Sequence, residues 1–371
     1  MITGCGGVGV KLPSRKSNIV YVMGNTHGGA AQIRPAVKKH LKLEIVERVG
    51  EFPVTLRDTI EQLKEEDAES FLSIIEERLV DLLYGIKGNG LDCDRDTCEE
   101  IETAIRFFPQ VLCERYWGTH PPIYAQLAYF KSVSFVPLLA KLGMELNQFQ
   151  KEERGGLFYY QWNVLRSLVN NDCREWYDEY QQCLVDKKYV AAIQSLGESG
   201  IFRKQDISEQ DLVWELSHNH TFPEHRFRCL VQYDPISFYN PNSSIYGIWL
   251  EPNNPRAFRT IFEIGVLHFP TQIGFLFYID NSNPDHHNDG YTPFDRACRE
   301  YGTETVTKIV GDTLVNRNQY YCRSNDKCSN MMEALVHAAT TPTIHLDGVY
   351  FLLRRDPGRY CQAISRTCRC N

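Results

Sequence analysis

Residues 257–302 carry the feature that most limits the possible folds: an apolar helix, a proline, a polar turn and a second, capped helix. In the first part, apolar residues recur three or four positions apart and form one stripe on a helix: Phe258, Ile261, Phe262, Gly265, Val266 and Phe269. Pro270 ends this helix, because its ring removes a hydrogen-bond donor and clashes with the preceding turn. Residues 281–290 are mostly turn formers, so we expect a loop there.

The second helix of this unit opens with a strong capping pattern. Thr292 is a favourable N-cap, and Pro293 suits the first helical position, whose N–H has no partner within the helix. Asp295 lies three residues after the cap, where its carboxylate completes a capping box and meets the positive end of the helix dipole. Gly302 can close the helix in the left-handed conformation.

A single helix pair of this kind cannot cover its own apolar stripe, so it needs similar neighbours. Comparable helical patterns occur at residues 98–143 and again further along the chain. Several of these apolar helices are followed by a proline, at Pro109, Pro235, Pro270 and Pro357. Pro235 and Pro270 are 35 residues apart, which is within the range of helical repeat proteins. The sequence therefore predicts an all-α fold, a helical-repeat solenoid over residues 95–371.

Composition restricts the class of protein. Hydrophobic residues make up 43% of the chain and charged residues 23%, which are ordinary globular values and exclude wholesale disorder. The formal net charge of −7 argues against non-specific nucleic-acid binding, which needs a basic face. No apolar run approaches the ~20 residues of a membrane-spanning helix, so we expect no membrane association.

The 13 cysteines are an odd number and are scattered through apolar helical patterns. The first twenty residues lack the continuous apolar segment of a secretory signal. We therefore expect reduced thiols and a cytoplasmic or nuclear protein. Cys322 and Cys328, like Cys368 and Cys370, lack the two paired Cys-x2-Cys motifs of a zinc site.

The N-terminal part of the chain differs from the rest. Residues 1–55 are predicted to be an irregular glycine-rich extension, and residues 56–94 an amphipathic acidic helix that caps the array. Residues 4–9 spell G-x-G-x-x-G, which in dinucleotide-binding proteins joins a strand to a helix. Only three residues precede this motif, and Pro13 interrupts the helix that should follow, so a flexible leader is the favoured interpretation.

Two other clusters contain potential metal ligands. His218, His220 and His225, with Glu224, lie in a turn-rich segment but match no standard zinc spacing. Residues 285–289 (DHHND) offer oxygen and imidazole ligands in the loop that precedes the capped helix. Polar surface loops account for both clusters better than metal sites do. No metal, cofactor or catalytic residue is therefore assigned.

The heptapeptide Thr-Pro-Phe-Asp-Arg-Ala-Cys at residues 292–298 is similar to the Thr-Pro-Leu-His-x-Ala core of the ankyrin repeat, with Asp295 in place of the histidine. Gly302 comes one residue later than in that repeat. Further similar stretches lie at residues 134–139, 154–157 and 345–355. The chain thus resembles the ankyrin repeat family, and more closely the divergent ankyrin-like proteins abundant in diatom genomes. The resemblance covers roughly residues 95–360.

This resemblance implies a solenoid that binds proteins through loop tips and its concave face, and it carries no catalytic residues. The candidate partner-contact loop comprises Asp285, His286, His287, Asn288 and Asp289. The expected function is a non-enzymatic scaffold or adaptor for one or more proteins, without cofactors. The alternative is a nucleotide- or dinucleotide-binding enzyme that uses the loop at residues 4–9, with the repeats as a regulatory appendage.

Overall fold

The computed structural model describes residues 35–85, 90–115, 120–159, 162–171, 179–217, 222–238, 255–269, 272–278 and 292–321. These ranges are mostly helical, which confirms the predicted all-α class. The helices are α1 Pro35–Glu47, α2 Val54–Gln62, α3 Ala68–Tyr84, α4 Cys98–Phe107, α5 Pro122–Ala125, α6 Val136–Glu145, α7 Val164–Asn170, α8 Glu179–Glu198, α9 Lys204–Glu209, α10 Leu212–Ser217, α11 Glu224–Tyr233, α12 Pro255–His268, α13 Pro293–Tyr301 and α14 Thr303–Tyr321.

Strands are limited, in the ranges that the structure describes, to one short antiparallel pair. β1 (Phe158–Tyr159) pairs with β2 (Trp162–Asn163). This hairpin lies between α6 and α7, next to a 3-10 segment at Lys151–Gly156. It closes a turn and does not form a layer of its own.

The N-terminal third differs from the sequence-based prediction in two places. Within the extension predicted to be irregular, residues 35–47 form helix α1, of which Ile45 is buried. The single helix predicted from residue 56 onward is two helices, α2 and α3, separated at residues 63–67. The physical reason for the break is a cap: the Asp67 carboxylate accepts the N–H groups of Glu69 and Ser70 at 2.9 and 3.1 Å, so a new helix begins there.

Helix α3 is part of the main apolar core. It packs against α1, α2 and α5, and its buried face includes Phe71, Ile75 and Leu79. The buried Gln126 side chain donates to the carbonyl of Leu83 near the end of α3. One connected set of buried apolar side chains runs from Ile45 to Leu314. Residues 56–94 are therefore joined to the following helices by shared packing, so a cut at residue 95 would divide the core.

Helices α8 and α11 lie side by side and run in the same direction. At their N-terminal ends, Cys183 Sγ lies 3.3 Å from His225 Nε2. At their C-terminal ends, Tyr233 packs beside Gly197, where an added Cβ would lie 3.4 Å from the tyrosine hydroxyl. The first contact joins residues 42 positions apart in the sequence.

Helices α7 and α10 form a second parallel pair. Asn163, the N-cap of α7, donates to Gln210 just before α10 at 2.6 Å. Asn170, the last residue of α7, donates to Glu215 of α10 at 2.7 Å. These contacts span 47 and 45 positions. Two consecutive helices, α7 and α8, thus meet two later helices at similar offsets.

The connection after α6 depends on a close approach of backbones. Gly143 lies inside α6, two residues before its end. It faces Gly155 in the following turn, which has φ +68°, and a Cβ added to Gly143 would lie 2.9 Å from the Gly155 carbonyl oxygen. A Cβ on Gly155 would lie 1.9 Å from the Ala140 carbonyl oxygen. Arg154, just before Gly155, also has a positive φ of 44°.

The connection after α12 is built in the same way. Gly265 inside α12 faces Gly274 in the following turn, and a Cβ on Gly265 would lie 3.1 Å from the Gly274 Cα. Gly274 has φ +60°, and Ile273 before it has φ 49°. Only glycine tolerates both the conformation and the contact without strain.

Both turns are also joined to the next helix by a backbone hydrogen bond at an equivalent position. Leu157, two residues after Gly155, accepts the N–H of Val164 in the first turn of α7 at 2.9 Å. Leu276, two residues after Gly274, accepts the N–H of Phe294 in the first turn of α13 at 3.1 Å. One helix–turn–helix connection therefore occurs twice in this chain.

Candidate functional site

The predicted capping positions of the central unit have the following geometry. The Thr292 hydroxyl accepts the N–H of Asp295 at 3.2 Å, and the Asp295 carboxylate accepts the N–H of Thr292 at 3.0 Å, so the capping box is present. Pro293 is the first residue of α13. Gly302 has φ +80° but ψ 141°, outside the left-handed helical region. The next helix, α14, begins directly after Gly302 with Thr303.

Several predicted positions lie outside the described residues, namely Pro270, Pro357, the loop Asp285–Asp289, the motif at residues 4–9, His218, His220 and the cysteines from 322 onward. Pro235 is described and begins a 3-10 segment, Pro235–Phe238, after α11. Of the three histidines considered as metal ligands, His225 is the described one, and its imidazole contacts a thiol.

A second cluster of possible metal ligands comprises Asp92, Cys93 and Asp94, whose ligand atoms lie within 4.8 Å of one another. The ammonium of Lys131 lies 3.0 Å from the Asp92 carboxylate and 2.8 Å from that of Asp94. Hydrogen bonds to the two carboxylates raise the pKa of Lys131 above its usual range. The lysine thus occupies the place that a cation would take, and we assign no metal here. On the other side, Lys188 of α8 donates to Cys93 Sγ at 3.2 Å.

A buried arginine joins three helices. Arg226 of α11 has no exposed surface, and its guanidinium donates to the Asp186 carboxylate of α8 at 2.7 Å. It also donates to the carbonyls of Val169 and Asn171, at the end of α7, at 2.6 and 3.0 Å. The guanidinium lies 4.8 Å from the centre of the Tyr189 ring. The charge is compensated on all sides, so this site is a structural junction.

The junction also fixes a thiol–imidazole pair. The Asp186 carboxylate accepts the backbone N–H of His225 at 2.7 Å, which holds the first turn of α11 against α8. Cys183 precedes Asp186 by one helical turn, and its Sγ lies 3.3 Å from His225 Nε2. Both side chains are partly exposed. A thiol and an imidazole at this distance can exchange a proton, which is the elementary requirement of a nucleophilic cysteine.

The other described cysteines lie in different surroundings. Burial raises the pKa of Cys113 and Cys229, and it raises the pKa of Cys298 to about 11. Cys98 is also held in its thiol form, because burial and the charges of Glu99 and Glu102 raise its pKa. All six described cysteines are free thiols.

The surface of α8 carries two exposed apolar side chains one turn apart. Tyr180 is 72% exposed and Leu184 is 45% exposed. Covering a large apolar side chain with a partner protein lowers the free energy of the complex, and tyrosine is enriched among the residues that dominate protein interfaces. This pair is therefore a candidate contact surface.

The sequence singled out His225 but not its partner Cys183. The two residues are 42 positions apart and meet because α8 and α11 are adjacent and parallel. No local spacing encodes that pairing.

No helix within the described ranges is long and apolar enough to cross a membrane. Comparisons of the chain with protein-family models, with curated proteins and with solved structures found no match.

Proposed function

We propose that this chain is a non-enzymatic protein-binding scaffold made of stacked, ankyrin-like helical units. The observation that carries the proposal is the connection that occurs twice, with Gly143 against Gly155 and Gly265 against Gly274. A connection used twice, each time between a helix and the first turn of the next, is the mark of a repeated unit.

The spacing of long-range hydrogen bonds supports the same arrangement. In a stacked array each unit contacts the next one, so two residues in contact are separated in sequence by about the length of one unit. Bonds in different parts of the described chain join residues 34 to 47 positions apart: Gln110–Glu76, Arg228–Glu263, Arg57–Glu100, Asn171–Leu127, Arg115–Tyr159 and Asn163–Gln210. These offsets exceed the ~33 residues of a regular ankyrin repeat, so the units carry insertions.

Binding is supported by the surface that the stack leaves uncovered. An array of helices has a long exposed surface, whose side chains do not pack in the core. Tyr180 and Leu184 belong to that surface and are apolar. The partner surface that fits them is apolar at its centre, and the net charge of −7 favours partners that are basic at the rim.

The test is affinity capture with the full chain, because the continuous core rules out a truncated array as a clean reagent. The variant Tyr180→Ser/Leu184→Ser removes the exposed apolar pair of α8. The matched controls Leu43→Ser and Leu267→Ser alter side chains of similar exposure on α1 and α12. We expect specific partners to be lost with the α8 variant and retained with both controls.

Two results would contradict the proposal. The first is the recovery of no protein above the background of an unrelated bait. The second is a saturable fluorescence change with NAD(H) or FAD that disappears in Gly6→Ala, which would favour a dinucleotide-binding enzyme. If the α8 variant still captures the same partners, the contact surface lies elsewhere on the array.

A further inference from the structure

Cys183 is the described cysteine that has an imidazole within hydrogen-bonding distance, with Sγ 3.3 Å from His225 Nε2. The pair is fixed by its surroundings. Asp186 holds the backbone of His225 at 2.7 Å and the guanidinium of Arg226 at 2.7 Å. The backbone of His225 is therefore held against α8, which keeps the imidazole within reach of the thiol. This rigidity makes the contact a built feature of the α8–α11 junction.

The thiol and the imidazole lie next to two ion pairs. His225 lies in the first turn of α11, and its backbone N–H donates to the Asp186 carboxylate. Within three positions of Cys183 or His225, the described carboxylates are those of Asp186 and Glu224, and each is paired with an arginine. Asp186 is bound by Arg226, and Glu224 lies 2.9 Å from Arg228.

The other thiols provide an internal comparison. Cys93 has a different partner: the ammonium of Lys188 donates to its Sγ at 3.2 Å, and an ammonium cannot accept the thiol proton. Cys229 and Cys298 are partly buried and remain protonated, as described above. Among the described cysteines, Cys183 is the one whose partly exposed sulfur lies next to an imidazole, a group that can accept the thiol proton.

We propose that Cys183 is a redox modification site, at which His225 accepts the thiol proton and the thiolate reacts with hydrogen peroxide. The thiolate sulfur attacks one peroxide oxygen, so that an S–O bond forms as the O–O bond breaks. The departing hydroxide takes the proton from the imidazolium and leaves as water. Sulfur loses two electrons and the peroxide gains them. The product is a sulfenic acid on Cys183 beside a neutral His225. This inference is independent of protein binding.

The first test measures selectivity in the unaltered full chain. The reduced protein is treated with a limiting amount of iodoacetamide at pH 7, and each cysteine peptide is quantified by mass spectrometry. We expect Cys183 to be alkylated about tenfold or more faster than Cys229 and Cys298. With peroxide and a sulfenic-acid-specific dione probe, the adduct should appear first on Cys183. If Cys183 reacts no faster than Cys93 and Cys229, the proposal is wrong.

The second test separates the role of the imidazole from a structural role. His225→Gln keeps the size of the side chain but cannot accept the thiol proton. We expect the alkylation rate of Cys183 to fall about tenfold at pH 7 and to rise with pH through about 8.5, as for an ordinary thiol. The rates at Cys93 and Cys298 should not change, which shows that the fold is intact. An unchanged pH profile at Cys183 would overturn the assignment of His225.

Discussion

The turns after α6 and α12 have the same backbone and different anchors. In the first, Arg154 extends from the turn to the buried Asp206 carboxylate, with Nη1 2.6 Å from the oxygen. In the second, the corresponding residue is Ile273, which is buried among apolar side chains. The glycine contact therefore determines the shape of the turn. The residue before the glycine differs between the two turns because it contacts different side chains. Arg154 meets a carboxylate and also lies over the Phe158 ring, 4.8 Å from its centre, whereas Ile273 belongs to the apolar core.

The largest effect is expected for Gly155→Ala. The new Cβ would lie 1.9 Å from the Ala140 carbonyl oxygen, and alanine would also have to adopt φ +68°. Backbone strain and overpacking together should lower the free energy of unfolding by about 4–6 kcal/mol. Urea denaturation measures it, with Gly50→Ala as the control, since an added Cβ there meets nothing within 4 Å. A loss below about 1 kcal/mol would show that the close glycine contact does not determine this turn.

Arg154→Met tests the anchor of the first turn. It leaves the Asp206 carboxylate, 2% exposed, without its guanidinium, and we expect a loss of about 3 kcal/mol or more. The double variant Arg154→Met/Asp206→Asn should be more stable than Arg154→Met, because the unpaired charge is gone. Equal stability of the single and double variants would mean that the ion pair does not anchor the turn.

Gly274→Ala is the matching change in the second turn. The nearest atom, the Val266 nitrogen, would lie 2.8 Å from the new Cβ, and φ is +60°. The contact is looser than at Gly155, so we expect a smaller loss, about 2–4 kcal/mol. Urea denaturation of the two glycine variants compares their free energies of unfolding and shows whether both turns depend on the close contact between backbones. A larger loss here than at Gly155 would contradict the ranking.

The smallest loss of stability is expected for a change at the start of α13, the helix that follows the second turn. Thr292→Ala removes the acceptor of the Asp295 N–H and should cost about 1 kcal/mol, whereas Thr292→Ser keeps the hydroxyl and should cost a few tenths. Thermal denaturation of the two variants side by side measures the difference. If alanine and serine are equivalent, the capping box contributes nothing to the stability of this unit.

Local sequence patterns were sufficient for the helices with a clear apolar stripe and a clear cap. The periodicity from Phe258 onward predicted α12, and Thr292 predicted the start of α13. These features depend on neighbours within a few positions, so a short window of sequence contains the information.

Features that depend on packing could not be predicted. Helix α1 has only Ile45 fully buried, so it lacks a readable stripe. The close approach of Gly143, inside α6, to Gly155 depends on the path of the turn that follows the helix. The Cys183–His225 pair and the Arg226 junction each join segments about 40 positions or more apart. Their partners are set by the stacking of helices, which a local pattern does not contain.

The junction at Arg226 also has a consequence for how the chain is made. Helix α7 ends on carbonyl groups that no residue within the helix can bind, and Arg226 binds them from 55 to 57 positions later. On a ribosome adding about 5–20 residues per second, that donor is synthesised roughly 3–11 s after α7. Until then the last turn of α7 depends on water. A ribosome-arrested chain that ends before Arg226 should therefore be cleaved by protease within α7, whereas a longer arrested chain that has brought Arg226 out of the exit tunnel should be protected there.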